Sequence, residues 1–246
     1  MSDSLPVSSN QTGMHEDLQT VVVKHLQTAF QRPIPPWVED LADQIVDACS
    51  GRPLILDSGC GTGHSSVRIA LENTQCFVAG IDQSAHRLKR SPLNLANTPE
   101  NTSNAAVSLL QSATDGSSDT LLPGNLRYVR ADVQDLWRAL LKRDVRLRAH
   151  YLLYPNPWPK AHHLMRRWHG HPVWPCLLAL GGRLELRTNW EIYAQEFHQT
   201  LLMGGASSIK MDSVSHSDAM AHPMSLFEKK YAESGHTLWR VTADLQ

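Results

Sequence analysis

The sequence predicts an α/β fold, with a doubly wound, mostly parallel sheet of seven strands and an antiparallel edge. Short apolar runs alternate with amphipathic segments of helical period along most of the chain. This alternation is typical of parallel strands joined by crossover helices. Two further runs, SIKMDSV (208–214) and TLWRVTADL (237–245), look like a closing strand pair and predict the antiparallel edge.

Length and composition fit one α/β domain with some extra elements. The chain has 246 residues, of which 41% are hydrophobic and 19% are charged. It can therefore bury a core, which excludes disorder throughout. The formal net charge of −1 excludes a basic field over the whole surface, so any contact with nucleic acid must come from a local patch.

The four cysteines form no Cys-x-x-Cys pair, and we expect them to be free, buried or half-buried side chains in a reducing compartment. The amino terminus has neither a basic start nor an apolar run, so we expect no secretory signal. No stretch approaches the roughly 18 apolar residues of a membrane span. These features predict a cytoplasmic protein without membrane contact.

We expect three regions along the chain. Residues 1–14 are rich in Ser, Asn and Gln and are predicted to form a disordered tail. Residues 15–50 are predicted to be helical, and residues 51–246 are predicted to form the main domain. Within that domain, residues 91–124 hold little charge and much Ser, Asn, Thr and Pro, which predicts a long loop insertion.

The helical region is predicted to contain two helices, separated by a cluster of prolines. Pro36 suits the first turn of the second helix, where its missing amide donor costs nothing. Trp37, Leu41, Ile45 and Ala48 recur every three or four residues, which predicts one apolar face.

The main domain is predicted from its apolar runs and its helical spacing. The predicted strands are 53–57, 76–82, 126–132, 150–154, 181–188, 208–214 and 237–245. The predicted helices are 65–72, 84–90, a segment that contains Leu136 and Leu140, and 189–202.

A glycine-rich loop follows the first predicted strand and opens a helix. Its glycines are Gly59, Gly61 and Gly63, in a G-x-G-x-G spacing that permits a tight turn and lets backbone approach a ligand. A dinucleotide fingerprint requires G-x-G-x-x-G, and His64 stands where its third glycine belongs. The loop therefore disfavours hydride chemistry on NAD.

Three acids end the first three strands: Asp57, Asp82 and Asp132. An acid at a strand end is also an ordinary turn residue. Three in succession beside a glycine loop favour a nucleoside cofactor, with Asp82 placed to accept the ribose hydroxyls and Asp132 close to the adenine. This segment resembles the S-adenosylmethionine motif of class I methyltransferases, which have a Rossmann-like fold. The resemblance implies that Asp57 neighbours the amino acid end of S-adenosylmethionine, that Asp82 holds the ribose, and that Asp132 lies near the adenine amino group.

The fourth predicted strand leads into Tyr-Pro-Asn-Pro-Trp-Pro-Lys (154–160). The prolines stiffen this loop and remove amide donors, so that Asn156 is fixed beside the expected methyl donor. Lys160, Arg166 and Arg167 can pair with phosphates, while nearby His and Trp side chains can stack on bases. The alternatives are a solvated basic helix and a histidine metal site; His-x-His without further ligands does not match the spacing of a zinc site, so no metal is predicted.

Three segments resemble the tRNA (guanine-N7)-methyltransferase family: YPNPWPKAHHLMRR (154–167), GGRLELRTNWEIYA (181–194) and SLFEKKYAESGHTLW (225–239). With the glycine loop they extend over most of residues 51–245. The resemblance implies S-adenosylmethionine as cofactor and RNA as partner. It also implies a catalytic, cofactor-facing Asn156, an RNA-contacting Lys160, and Asn189, Ser225 and Glu228 around the guanine.

This sequence departs from the family at three of these positions. The family has Asp where this chain has Asn156 and Asn189, and usually Thr where it has Ser225. Guanine N7 carries a lone pair and no proton, so methylation there needs alignment rather than a general base. The lost carboxylates would have stabilised a cationic product and accepted guanine N–H groups, so we expect a changed substrate or weaker activity.

Two other functions remain open from the sequence. Asn156-Pro157-Trp158 is superficially like the Asn-Pro-Pro-aromatic motif of amino-group methyltransferases, in which an exocyclic amine is the acceptor. The chain could also be an RNA-binding or regulatory protein that keeps the fold without turnover.

Overall fold

The computed structural model describes residues 4–92 and 123–246 and contains one seven-stranded sheet of order β3-β2-β1-β4-β5-β7-β6. Neighbours among the first five strands are parallel, and β7 runs antiparallel to both β5 and β6. This confirms the predicted fold class. The strands are β1 (Leu54–Ser58), β2 (Phe77–Asp82), β3 (Leu126–Arg130), β4 (Leu147–Leu153), β5 (Gly182–Thr188), β6 (Ser207–Val214) and β7 (Leu238–Leu245).

Within residues 4–92 and 123–246 the predicted helices are present, and three short ones were not predicted. The unpredicted helices α6, α8 and α9 have eight residues or fewer, too short for a clear helical period. No helix in the described ranges is long and apolar enough to cross a membrane. The helices are α1 (Leu18–Gln27), α2 (Pro36–Cys49), α3 (His64–Glu72), α4 (Ala85–Lys89), α5 (Val133–Leu141), α6 (Trp174–Ala179), α7 (Glu191–Met203), α8 (His216–Ala221) and α9 (Leu226–Glu233).

The core lies on both faces of the sheet. Every residue of β1 and β2 is buried, which explains why these strands are continuous apolar runs rather than alternating ones. Residues of α2, α5 and α7 pack in one large cluster, and residues of α3 pack in a second. The four cysteines are free, three of them buried and one half-buried, as the sequence predicts.

Helix α2 packs most of its predicted apolar face on the core, since Ile45 is fully buried and Leu41 and Ala48 pack against it, but Trp37 departs from the prediction. Val38, Ala42 and Ile45 are fully buried, whereas Trp37 is 54% exposed. The prediction that Trp37 faces the core was therefore wrong, because the buried side of the helix begins at Val38.

Residues 4–14 form no helix or strand, but the prediction of a disordered tail does not describe them. The Ser9 hydroxyl donates to the carbonyl of Pro159 at 2.6 Å, and the Gln11 amide donates to Glu196 at 2.6 Å. Polar contacts, together with the packing of Val7 against the core, thus fix a segment that has few apolar residues. Almost all of the predicted insertion at 91–124 lies outside the described residues.

A buried carboxylate, Glu196 of α7, joins this segment to the rest of the molecule. Glu196 accepts hydrogen bonds from Arg167 at 2.5 Å, His169 Nε2 at 2.8 Å, Gln11 at 2.6 Å and the His15 backbone at 2.8 Å. Glu196, Arg167 and His169 are all fully buried. Burial alone would raise the pKa of Glu196, but the hydrogen bonds and charges of His169 and Arg167 lower it to about 2.

We predict that Glu196→Gln destabilises the protein by about 3–5 kcal/mol, because it leaves the buried Arg167 charge without its partner. The matched control is Asp212→Asn, which breaks the exposed pair between Asp212 and Arg240 and should cost at most about 1 kcal/mol. Urea unfolding followed by circular dichroism at pH 7 measures both changes. Similar losses in the two variants would contradict the role of Glu196.

The ion pair between Glu196 and Arg167 also predicts how the stability of the protein depends on pH. The pKa of Glu196 in the folded state lies below its ordinary value of 4.5, so its contribution is complete above pH 4.5 and is lost as the pH falls toward 2. Between those values the free energy of unfolding should fall less steeply in Glu196→Gln than in the wild type. Parallel slopes would mean that Glu196 does not titrate with folding.

Candidate functional site

The glycine loop lies between β1 and α3, at the carboxyl edge of the sheet. Gly59, Gly61 and Gly63 have φ angles of 80°, 62° and 76°, which side chains other than glycine rarely tolerate. The backbone amides of Gly59 and Cys60 both donate to the Ile81 carbonyl, at 2.8 and 2.9 Å. The loop is therefore attached to the end of β2, in the turn that its spacing predicts.

The glycines serve two different purposes. A Cβ on Gly63 would lie 2.2 Å from the Tyr128 ring, whose hydroxyl donates to the Gly63 carbonyl at 2.7 Å. By contrast, a Cβ on Gly59 or Gly61 would meet no atom within 4 Å among the described residues. Gly63 thus permits close packing on β3, and the other two leave open space in front of the loop.

Asp57 lies beneath the loop rather than at its surface. It is 1% exposed, and Oδ2 accepts hydrogen bonds from the Ser65 and Ser66 hydroxyls, both at 2.6 Å. Burial raises the pKa of Asp57 to about 6. Its Oδ1 is buried and has no partner among the described residues, so one acceptor remains for a ligand group or water.

Asp82 ends β2 and faces the same loop. Its Oδ2 accepts the Gly61 amide at 3.0 Å, while Oδ1 accepts the Ser84 amide at 2.7 Å and the Arg87 guanidinium at 3.0 Å. Asp82 therefore lies at the strand end where the ribose acceptor is expected, with a side chain that is buried in this structure. It already has a cationic partner, Arg87, whose half-exposed side chain would have to yield to a ligand that uses both oxygens.

Asp132 caps the amino end of α5. Its carboxylate accepts the Gln134 backbone amide at 3.1 Å and the Gln134 side-chain amide at 2.9 Å, and Arg32 lies 3.7 Å away. The side chain of Asp132 is 30% exposed, so it remains accessible to a ligand from solvent. Asp57, Asp82 and Asp132 therefore follow the carboxyl ends of β1, β2 and β3, as predicted.

The segment 154–160, which we call the substrate loop, follows β4. Because β4 is the parallel neighbour of β1, the substrate loop and the glycine loop lie at the same edge of the sheet. Tyr154 and Trp158 have φ angles of 53° and 46°, strained values for aromatic residues. Asn156 is exposed between them, and its Oδ1 accepts the Trp158 amide at 3.3 Å.

The basic segment after the substrate loop forms two 3-10 turns, Ala161–Arg166 and Trp168–Gly170, rather than a regular helix. Lys160 and Arg166 are exposed, and the Arg166 guanidinium lies 4.7 Å from the centroid of the Trp158 ring. Both cations are available to phosphates. Among the described residues, no group of three His, Cys, Asp or Glu side chains could hold a metal ion.

Arg167 does not have the predicted phosphate-binding role, because it is fully buried. Besides pairing with Glu196, its guanidinium donates to the Trp158 carbonyl at 3.2 Å and to the Lys160 carbonyl at 3.4 Å. Arg167 therefore fixes the backbone at the far end of the substrate loop.

Glu228 is also buried, which is inconsistent with the predicted contact with guanine. Its carboxylate accepts the Tyr154 hydroxyl at 2.9 Å and Arg187 at 2.7 Å. Burial and the neighbouring Glu228 charge raise the pKa of the Tyr154 phenol. The Ser225 hydroxyl caps α9 by accepting the Glu228 amide at 3.2 Å. Glu228 thus anchors the near end of the substrate loop, at Tyr154.

Asn189 is half-buried and bonded to His236. The Asn189 amide nitrogen lies 3.1 Å from His236 Nδ1, and His236 Nε2 lies 2.8 Å from the Ser4 carbonyl. A carbonyl oxygen only accepts, so Nε2 carries the proton and Nδ1 of the neutral ring accepts from Asn189. The amide of Asn189 suits this arrangement because it supplies the donor that a carboxylate lacks.

Sequence reasoning missed Glu196 and Arg187, which support the substrate loop through Arg167 and Glu228. One signal was present for Glu196. It falls three residues after Tyr193 and one before Phe197, on the apolar side of the predicted helix 189–202. A charged residue at such a position usually has a buried partner.

Residues 51–241 match the family model described as "Putative methyltransferase". Among curated relatives, a tRNA (guanine-N(7)-)-methyltransferase from Bordetella pertussis is 25% identical over 233 residues, which cover 89% of this chain and 79% of the relative. A protein of the same name from Pasteurella multocida is 26% identical over 200 residues, which cover 77% of this chain and 67% of the relative.

Solved structures of methyltransferases share the fold. An antibiotic-related methyltransferase superposes with a TM-score of 0.56 at 14% identity, covering 90% of this chain and 98% of the other. The 16S rRNA methyltransferase KamB superposes with a TM-score of 0.57 at 14% identity, covering 83% and 93%. Together with the family match over residues 51–241, these findings show that the chain belongs to the putative methyltransferase family, whose enzymes use S-adenosylmethionine.

Proposed function

We propose that this chain methylates N7 of a guanine in tRNA. The observation that carries the proposal is the adjacency of the glycine loop and the substrate loop at the ends of β1 and β4. Curated relatives named tRNA (guanine-N(7)-)-methyltransferase, aligned over most of their length, support the choice of substrate.

The cofactor side of the site fits S-adenosylmethionine. Open space lies in front of Gly59 and Gly61, and the buried Oδ1 of Asp57 has no partner among the described residues. Asp82 would hold the ribose and Asp132 the adenine. When bound, S-adenosylmethionine supplies an electrophilic methyl group on a sulfonium centre.

Methylation of guanine N7 requires the protein mainly to align the base with the methyl donor. Methyl transfer to the N7 lone pair would leave the electron pair of the S–C bond on sulfur and would require no proton transfer. A general base is therefore unnecessary, and holding the two reactants in line supplies much of the rate. The stiff substrate loop, anchored at Tyr154 and Trp158, is suited to that task.

The exposed side chains around the substrate loop would bind the RNA. Lys160 and Arg166 are accessible cations for phosphates, and a base would stack on the Trp158 ring either opposite Arg166 or in its place. Asn156 would face the reacting base, with Asn189 and Ser225 nearby. The roles of Asn189 and Ser225 are those that the resemblance to the tRNA (guanine-N7)-methyltransferase family implies.

We predict that Asp82→Asn weakens the binding of S-adenosylhomocysteine at least tenfold, because hydrogen bonds to a charged acceptor contribute about 1.5–3 kcal/mol each. Isothermal titration calorimetry measures the affinity. Asp218→Asn, at the exposed first turn of α8, is the control and should bind as the wild type does. Equal affinity in all three proteins would remove Asp82 from the ribose role.

We predict that the double variant Lys160→Ala/Arg166→Ala binds unmodified tRNA with a flatter salt dependence. Two lost phosphate contacts should reduce the slope of log K against log salt by about 1.5. The control is Arg148→Ala/Arg183→Ala, which removes two exposed cations near the amino ends of β4 and β5, at the opposite edge of the sheet. If the first variant keeps the wild-type slope, these cations do not contact RNA.

A two-by-two series of Asn156→Asp and Asn189→Asp tests the acceptor atom. Asn156→Asp retains the oxygen that accepts the Trp158 amide and adds a negative charge that offsets the cationic product, so its initial rate on tRNA should equal or exceed the wild type. Asn189→Asp removes the amide donor to His236, so we expect its initial rate to fall below that of Asn156→Asp.

The same series separates the competing functions. A large loss of rate in Asn156→Asp, with folding and cofactor binding intact, would contradict N7 methylation and favour an exocyclic amine. Mass spectrometry of digested RNA identifies the methylated atom. Cofactor binding without methyl transfer in any variant would indicate an RNA-binding protein without turnover.

A further inference from the structure

We infer that Trp37, in the first turn of α2, binds the adenine of the cofactor. This inference rests on the S-adenosylmethionine site described above. Trp37 lies outside residues 51–241, the part of the chain that matches the family model. The inference therefore assigns a cofactor contact to an amino-terminal segment that the family match does not include.

Trp37 lines a cleft of about 470 Å³, together with Gln83, Arg130, Ala131 and Asp132. The cleft lies at the carboxyl ends of β2 and β3, which are parallel neighbours with Asp82 paired to Arg130. It therefore lies between the acid placed for the ribose and the acid placed for the adenine. Its volume is within the range of small-ligand sites.

The exposure of Trp37 sets it apart from the rest of α2. Its side chain is 54% exposed, whereas the next residue, Val38, is fully buried. A flat aromatic ligand that stacks on this exposed indole would remove its apolar surface from water, which is favourable in free energy. Adenine is such a ligand, and its amino group is a donor for Asp132.

The helix that carries Trp37 is held firmly beside the cleft. Arg143, which follows α5, donates to Glu39 at 2.7 Å and to Asp43 at 2.5 Å, both on α2. Just before the helix, Arg32 lies 3.3 Å from the buried Asp135 and 3.7 Å from Asp132. Trp37 is thus presented by a fixed element, as a binding residue needs to be.

The location argues for the cofactor rather than for an RNA base. The exposed cations that would bind RNA, Lys160 and Arg166, lie on the loop after β4, and β1 and β2 separate that strand from β3. Of the acids expected to contact the nucleoside, Asp132 lines the cleft, and Asp82 directly precedes Gln83, which also lines it. A base placed over Trp37 would be remote from Asn156.

The test compares Trp37→Ala and Trp37→Phe by calorimetry with S-adenosylhomocysteine. Trp37→Ala should weaken binding about tenfold, while Trp37→Phe, which keeps an aromatic ring, should stay within about threefold of the wild type. Leu202→Ala, at a similarly exposed apolar residue on α7, is the control and should bind normally. Tryptophan fluorescence should change on ligand binding in the wild type, and that change should be smaller in Trp37→Phe.

Three outcomes would overturn the inference. Wild-type affinity in Trp37→Ala would show that the indole does not contact the cofactor. Unchanged affinity for S-adenosylhomocysteine together with weaker tRNA binding would assign the cleft to an RNA base. If the wild type itself binds no S-adenosylhomocysteine, the proposed function fails first, and this result is distinct from a loss confined to the Trp37 variants.

Discussion

The buried ion pair between Glu196 and Arg167 is the interaction on which the substrate side of this molecule depends. Both side chains are fully buried, so each would pay a large desolvation penalty without the other. The pair is compensated because Glu196 accepts four hydrogen bonds and Arg167 donates to the carbonyls of Trp158 and Lys160 as well. One charged pair thereby fixes α7, the amino-terminal segment and the substrate loop together.

The substrate loop needs such support because its own backbone is strained. Positive φ angles at Tyr154 and Trp158 cost of the order of 1–3 kcal/mol each and persist only where neighbouring structure imposes them. At one end of the loop, Glu228 accepts a hydrogen bond from the Tyr154 hydroxyl. At the other end, Arg167 donates to the Trp158 carbonyl. Asn156 lies between two fixed points, so its position is set by buried acids that need not touch the substrate.

The cofactor side shows the same principle in a more open form. Asp132 is 30% exposed and lies 3.7 Å from Arg32, whereas Asp82 is buried and pairs with the half-exposed Arg87. A nucleoside that binds there would replace hydrogen bonds within the protein by hydrogen bonds from its hydroxyl and amino groups. The affinity for the nucleoside is then the difference in free energy between two similar sets of hydrogen bonds.

The sequence by itself determined the strands, the mostly parallel sheet with its antiparallel edge, and the glycine loop. It also located Asp82 and Asp132 correctly at strand ends. These features depend on residues close together in the chain: a buried strand is an apolar run, and a tight turn before a helix requires glycine. Gly63 agrees with its prediction for two reasons, because its positive φ angle and its contact with the Tyr128 ring both require glycine.

Only the tertiary structure decided which polar side chains are buried with partners and which are exposed. Arg167 and Glu228 looked like substrate residues, yet both are buried with partners that are 29 and 41 residues away along the chain. The amino-terminal segment looked disordered, yet Gln11 bonds to Arg167 across 156 residues. Trp37 was expected in the core and instead lines a cleft. Helical spacing gave a sign of burial for Glu196, but Arg167, Glu228 and Trp37 carried none that distinguished buried from exposed, because their environment is set by partners that only folding brings together.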